Sequence, residues 1–294
     1  MIKTKTFNIK WKNKCKYTSY TSISLWNDLI LANKINSNTV EVFDSETGKY
    51  IKDILNEDMG IFEIKNADDN LIINDLLFRI DRFLGICQVY NLAMNKPIGI
   101  FGFKNLKLPQ CITGYFKGNK YLIYILDDNN HNIIRYELQI VDNNIVDIKH
   151  YNFMNLPIIN SSHILIDDDY ERILLNDINQ SVLIVLDFDG NILKKINVEI
   201  SDIIIHNNNY IYTDNENDTN MLHLIDRDTM KYKISYNSIS IKNITYMTST
   251  NNKIYILDND CTLAELSLDD EDNNNNNNLL LVTLGVLVSA LFLK

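Results

Sequence analysis

The chain has 294 residues, 46% of them apolar and 22% charged, enough to bury a large core in an ordinary globular fold. Its net charge of −10 speaks against nucleic acid as a partner, because phosphate binding needs a concentrated basic surface. Four scattered cysteines (Cys15, Cys87, Cys111, Cys261) form no CxxC pair and read as small core hydrophobes in reduced, cytosolic surroundings, although sequence leaves a disulfide open.

The first ten residues alternate lysine or polar with apolar side chains and lack the apolar core of a secretory signal. That alternation predicts a strand. The basic cluster Lys10, Lys12, Lys14 and Lys16 reads as a solvated N-terminal segment.

A repeated unit follows. An apolar run ends in Asn or Asp, a polar turn intervenes, and a second apolar run ends near an acidic or amide residue. The first runs are Leu29–Asn33, Leu71–Asp75, Tyr121–Asp128, Ile173–Asp177, Tyr210–Asn215 and Ile254–Asn259. The second runs are Val40–Asp44, Ile86–Asn91, Ile133–Leu138, Val182–Asp187, Met221–Asp226 and Thr262–Leu266. Neighbouring copies lie about 37 to 52 residues apart, which brackets the period of a propeller blade. The pattern predicts an all-β, six-bladed β-propeller over residues 1–268. The sixth unit runs out after three strands, so Ile2–Ile9 is expected to supply its fourth and close the ring.

Hairpin chemistry supports this reading. Asp44-Ser-Glu-Thr-Gly48 places a capping aspartate before a glycine suited to positive φ. Asp187-Phe-Asp-Gly190 repeats the design, and the segment after Asp226 repeats it without glycine. Pro97 opens an outer strand, where an edge tolerates it.

The segment His163–Ile196 resembles one blade of the NHL-repeat, gluconolactonase-like and phytase-like group of six-bladed propellers. The resemblance covers most of residues 17–268 and is generic in its motifs, so it implies architecture more than activity. Enzymatic members of that group are metal-dependent hydrolases. Membership among them would imply Ca²⁺ and a phosphate ester or lactone as substrate.

The Asx residues that end the first runs would share one face of a propeller. Asp75, Asp127, Asp177, Asp214 and Asp258 are therefore candidate ligands for a hard cation such as Ca²⁺. The simpler account is that these side chains satisfy their own backbone turns. Asn is abundant throughout, which reads as coding bias and weakens any Asn-based motif. Asp167-Asp-Asp169 is expected in the turn after an inner strand; His163 precedes that strand, where it can face the shaft, although a satisfied structural histidine is the simpler account. No HExxH, GxSxG or phosphate-cradling glycine loop occurs.

The end of the chain has a different character. Residues 269–278, Asp-Asp-Glu-Asp followed by six asparagines, read as a linker unable to pack a core. In 279–294 an apolar run carries Leu279, Leu280, Leu281, Val282, Leu284, Val286, Leu287, Val288, Leu291, Phe292 and Leu293, with Lys294 last. As a helix these fifteen residues span about 22 Å, short of a ~30 Å bilayer core but accommodated by local thinning. The run is apolar nearly all round, unlike an amphipathic helix docked on a domain. A docked or oligomerising helix and a lipid-anchor signal stand as alternatives. The first expectation is a transmembrane helix acting as a tail anchor, with the propeller facing the cytosol. The expected function is a non-enzymatic, membrane-tethered scaffold that binds a protein partner on a propeller face and needs no cofactor. The alternative is the Ca²⁺-dependent hydrolase.

Overall fold

The computed structural model describes residues 4–16, 19–55, 64–128, 131–155, 161–214, 221–237, 241, 243–250 and 252–268. The linker 269–278 and the apolar run 279–294 lie outside the described residues.

Two short strands, β1 (Thr4–Thr6) and β2 (Asn8–Lys14), come first. Blade 1 contains β3 (Tyr20–Trp26), β4 (Leu29–Lys34), β5 (Val40–Asp44) and β6 (Tyr50–Ile54). Blade 2 contains β7 (Ala67–Ile73), β8 (Leu76–Asp81), β9 (Ile86–Asn91) and β10 (Lys96–Phe101). Blade 3 contains β11 (Pro109–Lys117), β12 (Lys120–Asp127), β13 (Asn132–Val141) and β14 (Asn144–Asn155). Blade 4 contains β15 (Ile164–Asp167), β16 (Arg172–Asp177), β17 (Val182–Asp187) and β18 (Ile192–Asn197). Blade 5 contains β19 (Ile200–His206), β20 (Asn209–Asp214), β21 (Met221–Asp226) and β22 (Tyr232–Asn237). Blade 6 takes β23 (Ile244–Ser249), β24 (Ile254–Asp258) and β25 (Thr262–Ser267) from one end of the chain and β2 from the other. The fold is an all-β, six-bladed propeller, and no helix occurs among the described residues.

Blades are joined by six apolar clusters, one between each neighbouring pair. Successive side chains of a strand point to opposite faces. Thus Ile30 and Ala32 of β4 pack toward blade 6, whereas Leu31 between them packs toward blade 2. Both faces of each central strand are buried, which is why those strands read as unbroken apolar runs. Each buried Ile or Leu contributes about 1.5–3 kcal/mol, so the ring is held by many equivalent interfaces.

The ring closes with an N-terminal strand, but not with Ile2–Ile9. The closing strand is β2, paired antiparallel to β25 from Asn8↔Ser267 to Lys14↔Thr262. β1 instead adds a fifth strand to blade 5, parallel to β22. The reason lies in the alternation of β2. Ile9, Trp11 and Asn13 turn toward the protein, while Lys10, Lys12 and Lys14 face solvent. The lysine cluster is therefore the outer face of a paired strand rather than a free segment.

The hairpin readings hold. The Asp44 carboxylate accepts from the Thr47 N–H (2.8 Å) and hydroxyl (2.6 Å), and Gly48 takes φ +65°. Asp226 does the same with Thr229, and Met230 occupies the left-handed position.

Candidate interaction face and central channel

The propeller has two faces. At the upper face the chain enters each innermost strand and turns from the second strand to the third. At the lower face it turns from first to second strand and from third to fourth.

The upper ends of the second strands are clamped by Asx side chains. Fully buried Asp81 accepts four backbone N–H groups, from Lys65 (3.0 Å) and Asn66 (3.1 Å) before β7 and from Phe83 (3.0 Å) and Leu84 (2.9 Å) after β8. Asp127 accepts from Lys107 (2.6 Å) and Leu108 (3.1 Å). In blade 4 the Asn176 carbonyl accepts the N–H groups of Ser162 and His163, both at 2.9 Å, and Asp177 accepts that of Asn179 (3.1 Å). Asp258 accepts from Thr262 (2.7 Å). Asp214 ends β20, paired with Ile200 and Met221.

Asp75 is elsewhere. It lies in the lower turn between β7 and β8 and accepts the Trp26 indole N–H at 3.0 Å. The residue at its expected position is Asp81. The five candidate aspartates thus stand in separate blades, and the four whose side chains are described are bonded to nearby donors. Among the described residues no group of three or more His, Cys, Asp or Glu is arranged to hold a metal ion.

The shaft carries a different set. Five innermost strands have a register shift near their upper end, at Thr21, Asp68, Gln110, Ser201–Asp202 and Thr245. A bulge re-aims the side chains beside it. The residues brought to one level of the channel are Ser22, Asp69, Cys111, His163, Asp202 and Tyr246, around a cavity of about 360 Å³.

Asp69 and Asp202, three blades apart, do the same job. Asp69 accepts from the Ile112 N–H of blade 3 (2.9 Å), and Asp202 accepts from the Met247 N–H of blade 6 (2.5 Å). Burial pushes Asp69 up to about 6 and Asp202 up to about 8, against the pull of these donors. Burial also lowers His163 to about 4, which leaves the ring neutral at pH 7. The Cys111 thiol is raised by burial and by the Asp69 charge, which leaves it unreactive. The channel lining mixes polar and apolar side chains and is braced by the Asp69 and Asp202 carboxylates.

These two residues were missed in the sequence. The signal was a polar pair just ahead of three apolar residues, Asp68-Asp69 before Asn70-Leu-Ile-Ile and Ser201-Asp202 before Ile-Ile-Ile.

The upper face also exposes an apolar sector over blades 1 to 3. Phe83 is 74% exposed and Phe103 66%, and Ile35 and Leu84 are also exposed. Gly85, at φ +64°, sits so close to the Leu106 carbonyl that a Cβ would lie 2.5 Å from its oxygen. This close approach lays the 102–108 loop, with Phe103, against the turn that carries Phe83. Beside them is a cavity of about 420 Å³ whose lining includes Ile35, Asn66, Arg82, Phe83 and Leu108. Arg82 is held by Asp128 at 3.5 Å.

No protein-family model and no curated protein matches the chain in sequence. Among solved structures, the chain is similar to the crystal structure of the β-propeller domain of Cps50 (Swd1) from Myceliophteria thermophila. The TM-score is 0.56 at 9% identity, over 90% of this chain and 100% of that one. At this identity the likeness is one of fold alone.

Proposed function

We propose that this chain is a non-enzymatic interaction module that offers its upper face to a protein partner while residues 279–293 tether it to a membrane from the cytosolic side. The observation that carries the reading is the exposed sector of Ile35, Phe83, Leu84 and Phe103 beside its cavity. Large exposed aromatic side chains clustered around a pocket are what partner anchors occupy. The direction of β25 supports the arrangement. It runs from the upper to the lower face and brings the chain out at Ser267, beside the lower turn that begins β24. On this reading the membrane lies under the lower face and the upper face turns outward. The likeness to the NHL-repeat and gluconolactonase-like group remains one of blade pattern. The braced channel gives the hydrolytic members' chemistry no support.

Proximity labelling with the full-length chain in cells tests the face. Phe83→Asp combined with Phe103→Asp is expected to abolish labelling of specific partners, while Met94→Asp combined with Val146→Asp on the lower side preserves it. Equal labelling by both variants, or loss only in the second, refutes the assignment. Alkaline extraction tests the tether. The full chain should stay with the membrane pellet, and a chain ending at residue 278 should be released.

A further inference from the structure

The seam of the ring brings two cysteines face to face. The β2–β25 ladder ends at Lys14↔Thr262, so the next antiparallel pair is Cys15 and Cys261. The Cys15 N–H donates to the Cys261 carbonyl at 2.9 Å, which fixes that register. Both side chains belong to the apolar cluster between blades 6 and 1, so they point to the same side of the sheet. Cys261 sits in the turn at φ +56° and gives its own N–H to the Asp258 carbonyl at 2.9 Å, so a single hydrogen bond joins the pair. That one bond keeps the two Cα atoms within about 7 Å, the outer limit for a disulfide. Neither remaining cysteine competes. Cys87 is in the cluster between blades 2 and 3, and Cys111 is in that between blades 3 and 4.

We propose that Cys15 and Cys261 are a cross-linking site, oxidised by a small-molecule disulfide to one intramolecular bond that staples the closing strand to the last blade. The exchange balances in two steps. The Cys15 thiolate attacks one sulfur of oxidised glutathione and expels one glutathione thiolate. The Cys261 thiolate then attacks the Cys15 sulfur and expels the second. Two protein thiols and one oxidised glutathione become one protein disulfide and two reduced glutathiones. Burial, with the Glu41 charge, raises Cys15 to about 12, and burial raises Cys261 as well, so the exchange is slow at neutral pH and faster as pH rises. The loop closed runs from residue 15 to residue 261 and contains all of blades 1 to 5. Closing so long a loop restricts the unfolded chain strongly.

The test is to incubate the full-length chain with oxidised glutathione, denature it, alkylate the remaining thiols and map its peptides. The expected result is loss of two of the four thiols, a linked peptide pair carrying Cys15 and Cys261, and a higher unfolding temperature that dithiothreitol reverses. Cys15→Ser should abolish the link, and Cys87→Ser with Cys111→Ser should retain it. The wild-type peptide map decides the matter even where a variant folds poorly. Four free thiols, a glutathione adduct that never resolves, or a link between other cysteines or between two chains would each overturn the proposal.

Discussion

Blade 2 is built from consecutive hairpins between Ala67 and Phe101, whereas blade 6 joins Ile244–Ser267 to a strand from the opposite end of the chain. The two use the same four-stranded plan but are fixed differently. Blade 2 is held from within, by one buried carboxylate that ties its incoming loop and its upper turn to β8. Blade 6 is held from outside. Trp11 of β2 donates its indole N–H to Glu265 of β25 at 3.0 Å, and Lys253 reaches both Glu265 (3.6 Å) and Glu46 of blade 1. Asn13 donates to the Thr47 carbonyl at 2.8 Å, and the Trp11 ring lies directly over Gly48. A strand with no covalent neighbour in its own blade is anchored by side chains to two blades at once.

The largest effect should come from the internal clamp. Asp81→Ala strands four backbone donors in a buried site and is expected to cost about 3–5 kcal/mol in chemical denaturation, with Asp81→Asn costing less. Next is the seam. Gly48→Ala places a methyl about where the Trp11 ring sits, 2.1 Å from its nearest atom, at φ +65°. It should cost about 3 kcal/mol through overpacking and strain. Gly118→Ala has nearly the same φ, +66°, and open space around it, so it should cost only about 1 kcal/mol. Equal losses at the two glycines would mean that the Trp11 contact does not hold the seam.

A pH series separates the channel braces from both. Asp69 and Asp202 have folded pKa values near 6 and 8, above the ordinary carboxylate value. The folded state therefore binds more protons from about pH 4 upward. Their stabilising contribution is full below that and is lost as pH rises through 6 and then 8. The unfolding temperature of Asp202→Asn should lack the upper part of that decline, while Gly48→Ala should keep its shape. Smallest of all, Phe83→Asp and Phe103→Asp should move stability by less than about 0.5 kcal/mol, because both rings face water. A larger loss would make them part of the fold rather than of a binding surface.

Blade count, hairpins and the need for an N-terminal closing strand were legible because each rests on local pattern. Alternation, capping aspartates and left-handed turn positions all act within a few residues. Register was less legible. In blade 2 both Leu71–Asp75 and Leu76–Asp81 are apolar runs ending in aspartate, so the innermost strand and its turn passed for the second strand, and Asp81 was overlooked. The closing strand slipped for a similar reason, since the apolar phase changes between Ile2 and Phe7 and the run Phe7, Ile9, Trp11 belongs with Asn8–Lys14. The channel ring was hidden because each blade supplies one residue to it, and the bulges that align those residues leave no mark in composition. The exposed phenylalanines are indistinguishable in sequence from those of the core.

The seam also sets a clock on synthesis. β2 emerges among the first residues, but its partner β25 exists only once residue 267 has been made. At roughly 5–20 residues per second, the N-terminal strand waits about 12 to 50 seconds for its place in the sheet. During that interval the nascent protein is an open arc with the blade 1 side of the seam uncovered. Anything that shields Trp11 and the unpaired edge of β2 until translation ends would set how much of the chain reaches the closed ring.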